Sequence, residues 1–245
     1  MRKPVLAGNW KMFKTPAETR AFFEAFIPLV ATARECDIVI CPPFVDIAAA
    51  VAASETSRVS IGGQNLDWRK EGAYTGEISA PMLKAAGADW VLIGHSERRQ
   101  FFGETDETVL QRIVAALDSD LHPIVCIGEL LADREAGKTV AVLEEQFTRG
   151  IAPLTPEQFS RVVVAYEPVW AIGTGKTATP EIAAGAHRVI RSAMRRKFGV
   201  DVRILYGGSV KPDNIQSLMA QDEIDGVLVG GASLTAESFA AIVNF

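Results

Sequence analysis

Short apolar runs rich in β-branched residues recur along the chain at Val5–Trp10, Asp37–Cys41, Val59–Gly63, Trp90–Gly94, Pro123–Gly128, Val162–Tyr166, Val202–Gly207 and Gly226–Gly230. Most are continuous rather than alternating, the mark of parallel strands covered on both faces. Segments of helical period lie between them. In the first, Phe22, Phe23, Phe26, Ile27 and Val30 fall on one face. Its start, Thr15-Pro16-Ala17-Glu18, combines a cap residue, a first-turn proline and a glutamate three positions on. Thr155-Pro156-Glu157 and Thr179-Pro180-Glu181 open later helices in related ways.

The pattern gives eight strand–helix units with no linker between them, so residues 1–245 read as one α/β domain. Two architectures fit: a closed (β/α)8 barrel or an open doubly wound sheet. The length favours the barrel, and so do the polar residues just past the strand ends. These are Asn9 and Lys11, Gln64 and Asn65, His95, Glu129, Glu167, Ser209 and the pair Gly230-Gly231. A barrel brings all eight such ends to one mouth, whereas an open sheet spreads them along an edge.

Composition narrows the function classes. The 245 residues are 48% hydrophobic and 22% charged, which excludes a disordered or low-complexity chain. A net charge of −5, with the only basic cluster (Arg195-Arg196-Lys197) ending a helical stretch, argues against a nucleic-acid partner. No apolar run approaches the ~18 residues of a membrane span. Asn9 and Lys11 interrupt the run after Met1-Arg2-Lys3-Pro4, so no signal peptide is expected. Cys36, Cys41 and Cys126 form no Cys-x-x-Cys pair, which fits reduced thiols and a cytoplasmic location.

Three side chains at strand ends carry candidate chemistry. His95 precedes Ser96-Glu97-Arg98-Arg99, which has the look of a helix start; N–H groups there would hold the ring neutral as a hydrogen-bond donor. The alternative is a satisfied structural histidine, the only reading open to His122 and His187. Glu167 ends a buried strand, where desolvation would raise its pKa toward that of a general base; a structural ion pair is the competing reading. Lys11 is either an electrostatic clamp for an anion or a solvated surface residue.

Gly207-Gly208-Ser209 and Gly230-Gly231-Ala232-Ser233 follow the seventh and eighth strands, where barrels often place a phosphate site. Gly173-Thr174-Gly175-Lys176-Thr177-Ala178 imitates a nucleotide-binding loop. However, Trp170 stands where the P-loop needs glycine, and a helix start at Thr179-Pro180 follows the glycines. The segment reads as a lid loop over Pro168–Ala178.

Gly8-Asn9-Trp10-Lys11-Met12, Gly94-His95-Ser96-Glu97-Arg98-Arg99, Ala165 through Thr177, Tyr206-Gly207-Gly208-Ser209-Val210 and Gly230-Gly231-Ala232-Ser233-Leu234 closely resemble the triosephosphate isomerase family, in order and over the whole chain. The resemblance implies a TIM barrel that interconverts dihydroxyacetone phosphate and D-glyceraldehyde 3-phosphate through a cis-enediol(ate), in glycolysis and gluconeogenesis, with no cofactor or metal. It implies Glu167 as the base, neutral His95 as the group polarising the carbonyl, Lys11 as positive charge and Asn9 as an orienting group. Ser96 would contact Glu167 in the open state and Glu97 would pair with Lys11. Gly173, Ser209, Gly230 and Gly231 would hold the phosphate, and Ile172 and Leu228 would press on Glu167. The hinges of the lid would be Pro168-Val169-Trp170 and Lys176-Thr177-Ala178. The resemblance also implies a homodimer through the third loop, Gln64 to Ala80, with Thr75 reaching the neighbour's site. Departures from the family pattern are small: Trp68 in that loop and Leu130 after Glu129.

Overall fold

The structure, a computed structural model, describes residues 2–172 and 178–245. Its strands are β1 (Val5–Asn9), β2 (Asp37–Cys41), β3 (Val59–Gly63), β4 (Trp90–Ile93), β5 (His122–Ile127), β6 (Val163–Tyr166), β7 (Ile204–Tyr206) and β8 (Gly226–Val229). Each pairs in parallel with the next, and β8 returns to β1 in the register Val5↔Gly226 to Gly8↔Val229, closing the barrel. That closure excludes the open sheet. Every expected strand is present, with ends displaced by one or two residues for local reasons. The Val162 N–H bonds back to Phe159, and the Val202 carbonyl accepts from Arg191, so neither joins the ladder.

Side-chain alternation along the strands sorts the core into two layers. Val5 and Ala7 of β1, Val39 and Cys41 of β2, Trp90 and Leu92 of β4, Ile124 and Cys126 of β5, Val163 and Ala165 of β6, Leu205 of β7 and Leu228 of β8 form the barrel interior. Leu6, Val91, Ile93, Val125, Val164, Tyr166, Val227 and Val229, between them in sequence, face outward into the layer under the helices. A period of two continued past the strand ends puts Asn9, Glu167 and Gly230 on the inward face. The sequence thereby aims these residues at the mouth.

The helices begin as their cap residues direct. Thr15 and Glu18 form the capping box of the helix Pro16–Leu29, whose Phe22, Phe23 and Phe26 are buried. Helices at Pro156–Ser160 and Pro180–Phe198 start at Thr155 and Thr179, and Arg195, Arg196 and Lys197 occupy the last turn of the second. The three cysteines are buried free thiols. Among the described residues, no helix is long and apolar enough to cross a membrane.

His187, on Pro180–Phe198, is fully buried against Tyr166. Its Nδ1 lies 3.0 Å from the Glu223 carbonyl, which only accepts, so the proton sits on Nδ1; Nε2 has no partner among the described residues. Burial pushes its pKa down to about 4. The unfolded chain therefore binds a proton near pH 6.5 that the native chain refuses, and stability falls as pH drops from there to about 4. By pH 4 the loss is about 3 kcal/mol relative to neutral pH. Urea melts of wild type and His187→Gln across this range should show that slope in the wild type alone; parallel curves would refute it.

Candidate active site

Lys11 leaves β1 in a left-handed backbone conformation, φ 53°. The turn is held by local bonds. The Lys11 N–H donates to Asn9 Oδ1 (3.0 Å), while Gln64 Nε2 donates to the carbonyls of Lys11 (2.8 Å) and Cys41 (3.0 Å). Trp10, fully buried, donates from Nε1 to the Ser233 carbonyl after β8 (3.0 Å). With its flanks anchored, Lys11 directs Nζ to within 2.5 Å of Glu97 Oε1. A methyl group placed on Gly230 would stand 3.4 Å from Lys11 Cε, so the end of β8 adjoins the lysine.

His95 caps the helix Ser96–Phe101 with its side chain: Nδ1 accepts the Glu97 N–H at 3.2 Å. A nitrogen that accepts is unprotonated, so the neutral ring carries its hydrogen on Nε2. Nε2 lies 2.9 Å from Glu167 Oε1, and the Ser96 N–H donates to Glu167 Oε2 at 2.8 Å. Glu167 is 1% exposed. A carboxylate so placed is stabilised by the helix end and by the imidazole, with Lys11 adding at longer range.

These contacts correct both sequence-based titration readings. Burial alone raises the Glu167 pKa, but His95, the Ser96 N–H and Lys11 outweigh it and hold the carboxyl below its ordinary value. Burial alone lowers the His95 pKa, but the carboxylates of Glu167 and Glu97 outweigh it and raise the ring above its ordinary value. The helix N–H expected to keep His95 neutral is in place; the carboxylate resting beside the ring is what the sequence did not show.

A profile of the triosephosphate isomerase family matches residues 4–245. The chain belongs to the triosephosphate isomerase family. It is 67% identical to triosephosphate isomerase of Solibacter usitatus over the full length of both chains. It is 55% identical to that of Moorella thermoacetica, over all of this chain and 99% of the relative. The crystal structure of triosephosphate isomerase from Bartonella henselae superposes with a TM-score of 0.90 at 37% identity, covering 99% of this chain and 98% of that one.

The segment expected to form the lid begins beyond Glu167. Pro168 leads into a 3-10 turn, Val169–Ala171, and the Ile172 N–H returns to the Val169 carbonyl at 3.2 Å. Trp170 is fixed from below by Glu129, fully buried, whose Oε1 accepts from Trp170 Nε1 (2.9 Å) and Tyr166 Oη (3.0 Å). Arg134 lies over the Trp170 ring at 4.7 Å. Ala178, at the far end, is buried. Gly173, Lys176 and Thr177 lie outside the described residues.

Ser209, half-buried past β7, accepts from Asn214 Nδ2 on its carbonyl (3.0 Å). Gly231 opens a 3-10 turn, Gly231–Ser233, in which Ser233 bonds back to Gly230. Leu228 is on the barrel floor, and Thr75 is exposed in the third loop. Of the two departures, Trp68 is engaged within its own chain, with Arg69 and Arg112 guanidiniums 4.4 and 4.8 Å from its ring. Leu130 is exposed before the helix Leu131–Glu135. Sequence reading missed Arg99 and Gln146, which bind strand-end carbonyls behind the site; Gln146 left one trace, a polar residue between buried Leu143 and Phe147 on one helix face.

Proposed function

We infer that the chain interconverts dihydroxyacetone phosphate and D-glyceraldehyde 3-phosphate, the reaction of its family in glycolysis and gluconeogenesis. The observation that supports assigning the chemistry to particular side chains is the 2.9 Å approach of Glu167 Oε1 to His95 Nε2, with the Lys11–Glu97 pair beside them at 2.5 Å. Moving a proton between adjacent carbons needs a base on the carbon side and a donor on the oxygen side. Glu167 takes the proton from one carbon and returns it to the next. His95 presents its Nε2 hydrogen to the carbonyl oxygen, and Lys11 and Asn9 stabilise the enediolate charge as it forms. No other reactant is consumed.

Glu97 and Ser96 act earlier in this scheme. Glu97 orients Lys11, and the Ser96 N–H holds Glu167 aside until substrate arrives. The phosphate sits on N–H groups of Gly173, Ser209, Gly230 and Gly231, close to the Lys11 ammonium. Ile172 and Leu228 enclose Glu167 when the lid, hinged at Pro168-Val169-Trp170 and Lys176-Thr177-Ala178, covers the intermediate and excludes water. A spectrophotometric assay coupling consumption of glyceraldehyde 3-phosphate to an auxiliary dehydrogenase tests the reading. Purified folded protein with no turnover of this substrate would sink it.

The working unit in this reading is a cytoplasmic homodimer joined through the third loop. Residues 71–77 of that loop are all exposed, as are Met12 (93% exposed), Val45 (75%) and Phe101 (73%) in the segments that follow β1, β2 and β4. Exposed large apolar side chains in these segments support this reading. Thr75 then reaches the partner's mouth beside Asn9 and His95. Sedimentation across a dilution series should show specific activity falling as the dimer dissociates; a fully active monomer would exclude this arrangement.

A further inference from the structure

We propose that Arg99 is a positioning residue for His95, acting as a clamp in the seam where β4 and β5 part. This rests on the isomerase reading of the site. The β4–β5 ladder ends at the pair Ile93↔Val125. At the next position the chain turns out of the barrel at Gly94, whose φ of 71° few other residues adopt. The carbonyls of Gly94 and Cys126 are left at an opening seam. One guanidinium fills it: Arg99 Nε donates to the Gly94 carbonyl (2.8 Å) and Nη2 to the Cys126 carbonyl (3.2 Å). Nη1 donates to Asp106 Oδ1 at 2.7 Å, on the first residue of the helix Asp106–Asp118.

The Gly94 carbonyl belongs to the same planar peptide unit as the nitrogen of His95. Holding that oxygen fixes the plane from which the imidazole projects. The Cys126 carbonyl lies two residues before Gly128, whose Cα faces the Glu167 backbone. Arg99 therefore ties the strand end that carries His95 to the strand end that abuts Glu167. Its side chain is 17% exposed and Asp106 is 14% exposed, so the charge is compensated where water has little access. The task requires the guanidinium. A rigid planar fork serves three acceptors in different directions at once, whereas a lysine ammonium on a flexible stem does not fix their geometry.

The test uses Arg99→Lys and Arg99→Met in the full chain, with melting curves to establish folding. Misplacement of a catalytic group by about 1 Å costs roughly 100-fold in rate, so kcat should fall by about that factor in either variant. KM and inhibition by inorganic phosphate should be unchanged, because the phosphate-binding residues follow β6, β7 and β8, outside the β4–β5 seam. The His95 ring signals in nitrogen NMR should shift, and millimolar guanidinium should restore kcat to the methionine variant but leave the wild type unaffected.

A folded variant with wild-type kcat and unshifted His95 signals would overturn the proposal. So would a parallel loss of phosphate binding, which would indicate general loosening of the barrel. If Arg99→Met does not fold, Arg99→Lys decides on the same readouts. If even the wild type fails to isomerise, the functional reading fails by itself, and the His95 signals in folded Arg99→Lys still judge the clamp.

Discussion

Glu167→Gln lowers kcat by about 10⁴-fold while KM stays near the wild-type value, because the amide keeps the shape of the side chain but accepts no proton. The Ser96 contact should survive the change, whereas the amide NH2 then faces the His95 Nε2–H, donor against donor, and the 2.9 Å contact there is lost. Ser96 still donates to the remaining carbonyl oxygen, and the backbone N–H of Glu167 still bonds the Ile127 carbonyl at 2.8 Å. The His95 pKa should fall in the variant, since the carboxylate that raises it is gone. Steady-state kinetics and nitrogen NMR of the ring check the two halves separately. A variant within tenfold of wild type would remove Glu167 from the chemistry.

Gly128→Ala should damage the same site from behind, through backbone alone. A methyl group there would lie 1.7 Å from the Glu167 carbonyl oxygen and 2.6 Å from its carbon. Gly128 is not free to retreat: Gln146 accepts its N–H at 2.8 Å and donates to its carbonyl at 3.1 Å. The overlap is relieved by moving the Glu167 backbone. A displacement near 1 Å predicts roughly a 100-fold loss of kcat, and overpacking predicts destabilisation by about 1–3 kcal/mol. Activity and thermal midpoints measured on one preparation test both; two unchanged values would show that the strands part there at no cost.

The residues whose signals are local were legible in the sequence. Glu167 follows the inward-facing Val163 and Ala165 on a two-residue period, and His95 is followed directly by the helix it caps. Lys11 was recognisable by position, though its left-handed backbone was not, because Gln64 and Asn9 impose it. Titration was misread for a related reason. The sequence shows that Glu167 is buried and that a helix begins after His95, but not that the two side chains rest together. Arg99 and Gln146 escaped notice because each is an ordinary polar residue on a helix, given meaning by carbonyls of other segments.

The closure of β1 against β8 has a consequence for how the chain is made. Val5 pairs with Asp37 on one side, and on the other with Gly226, about 220 positions away. During synthesis the first strand emerges early and gains β2 almost at once, yet its second edge has no partner until nearly all of the chain has left the ribosome. For that interval the nascent protein carries an uncapped parallel sheet edge, a template for pairing with other chains. Pairing across so long a separation is also slow. Holding chaperones that shield that edge should therefore raise soluble yield without altering the finished barrel.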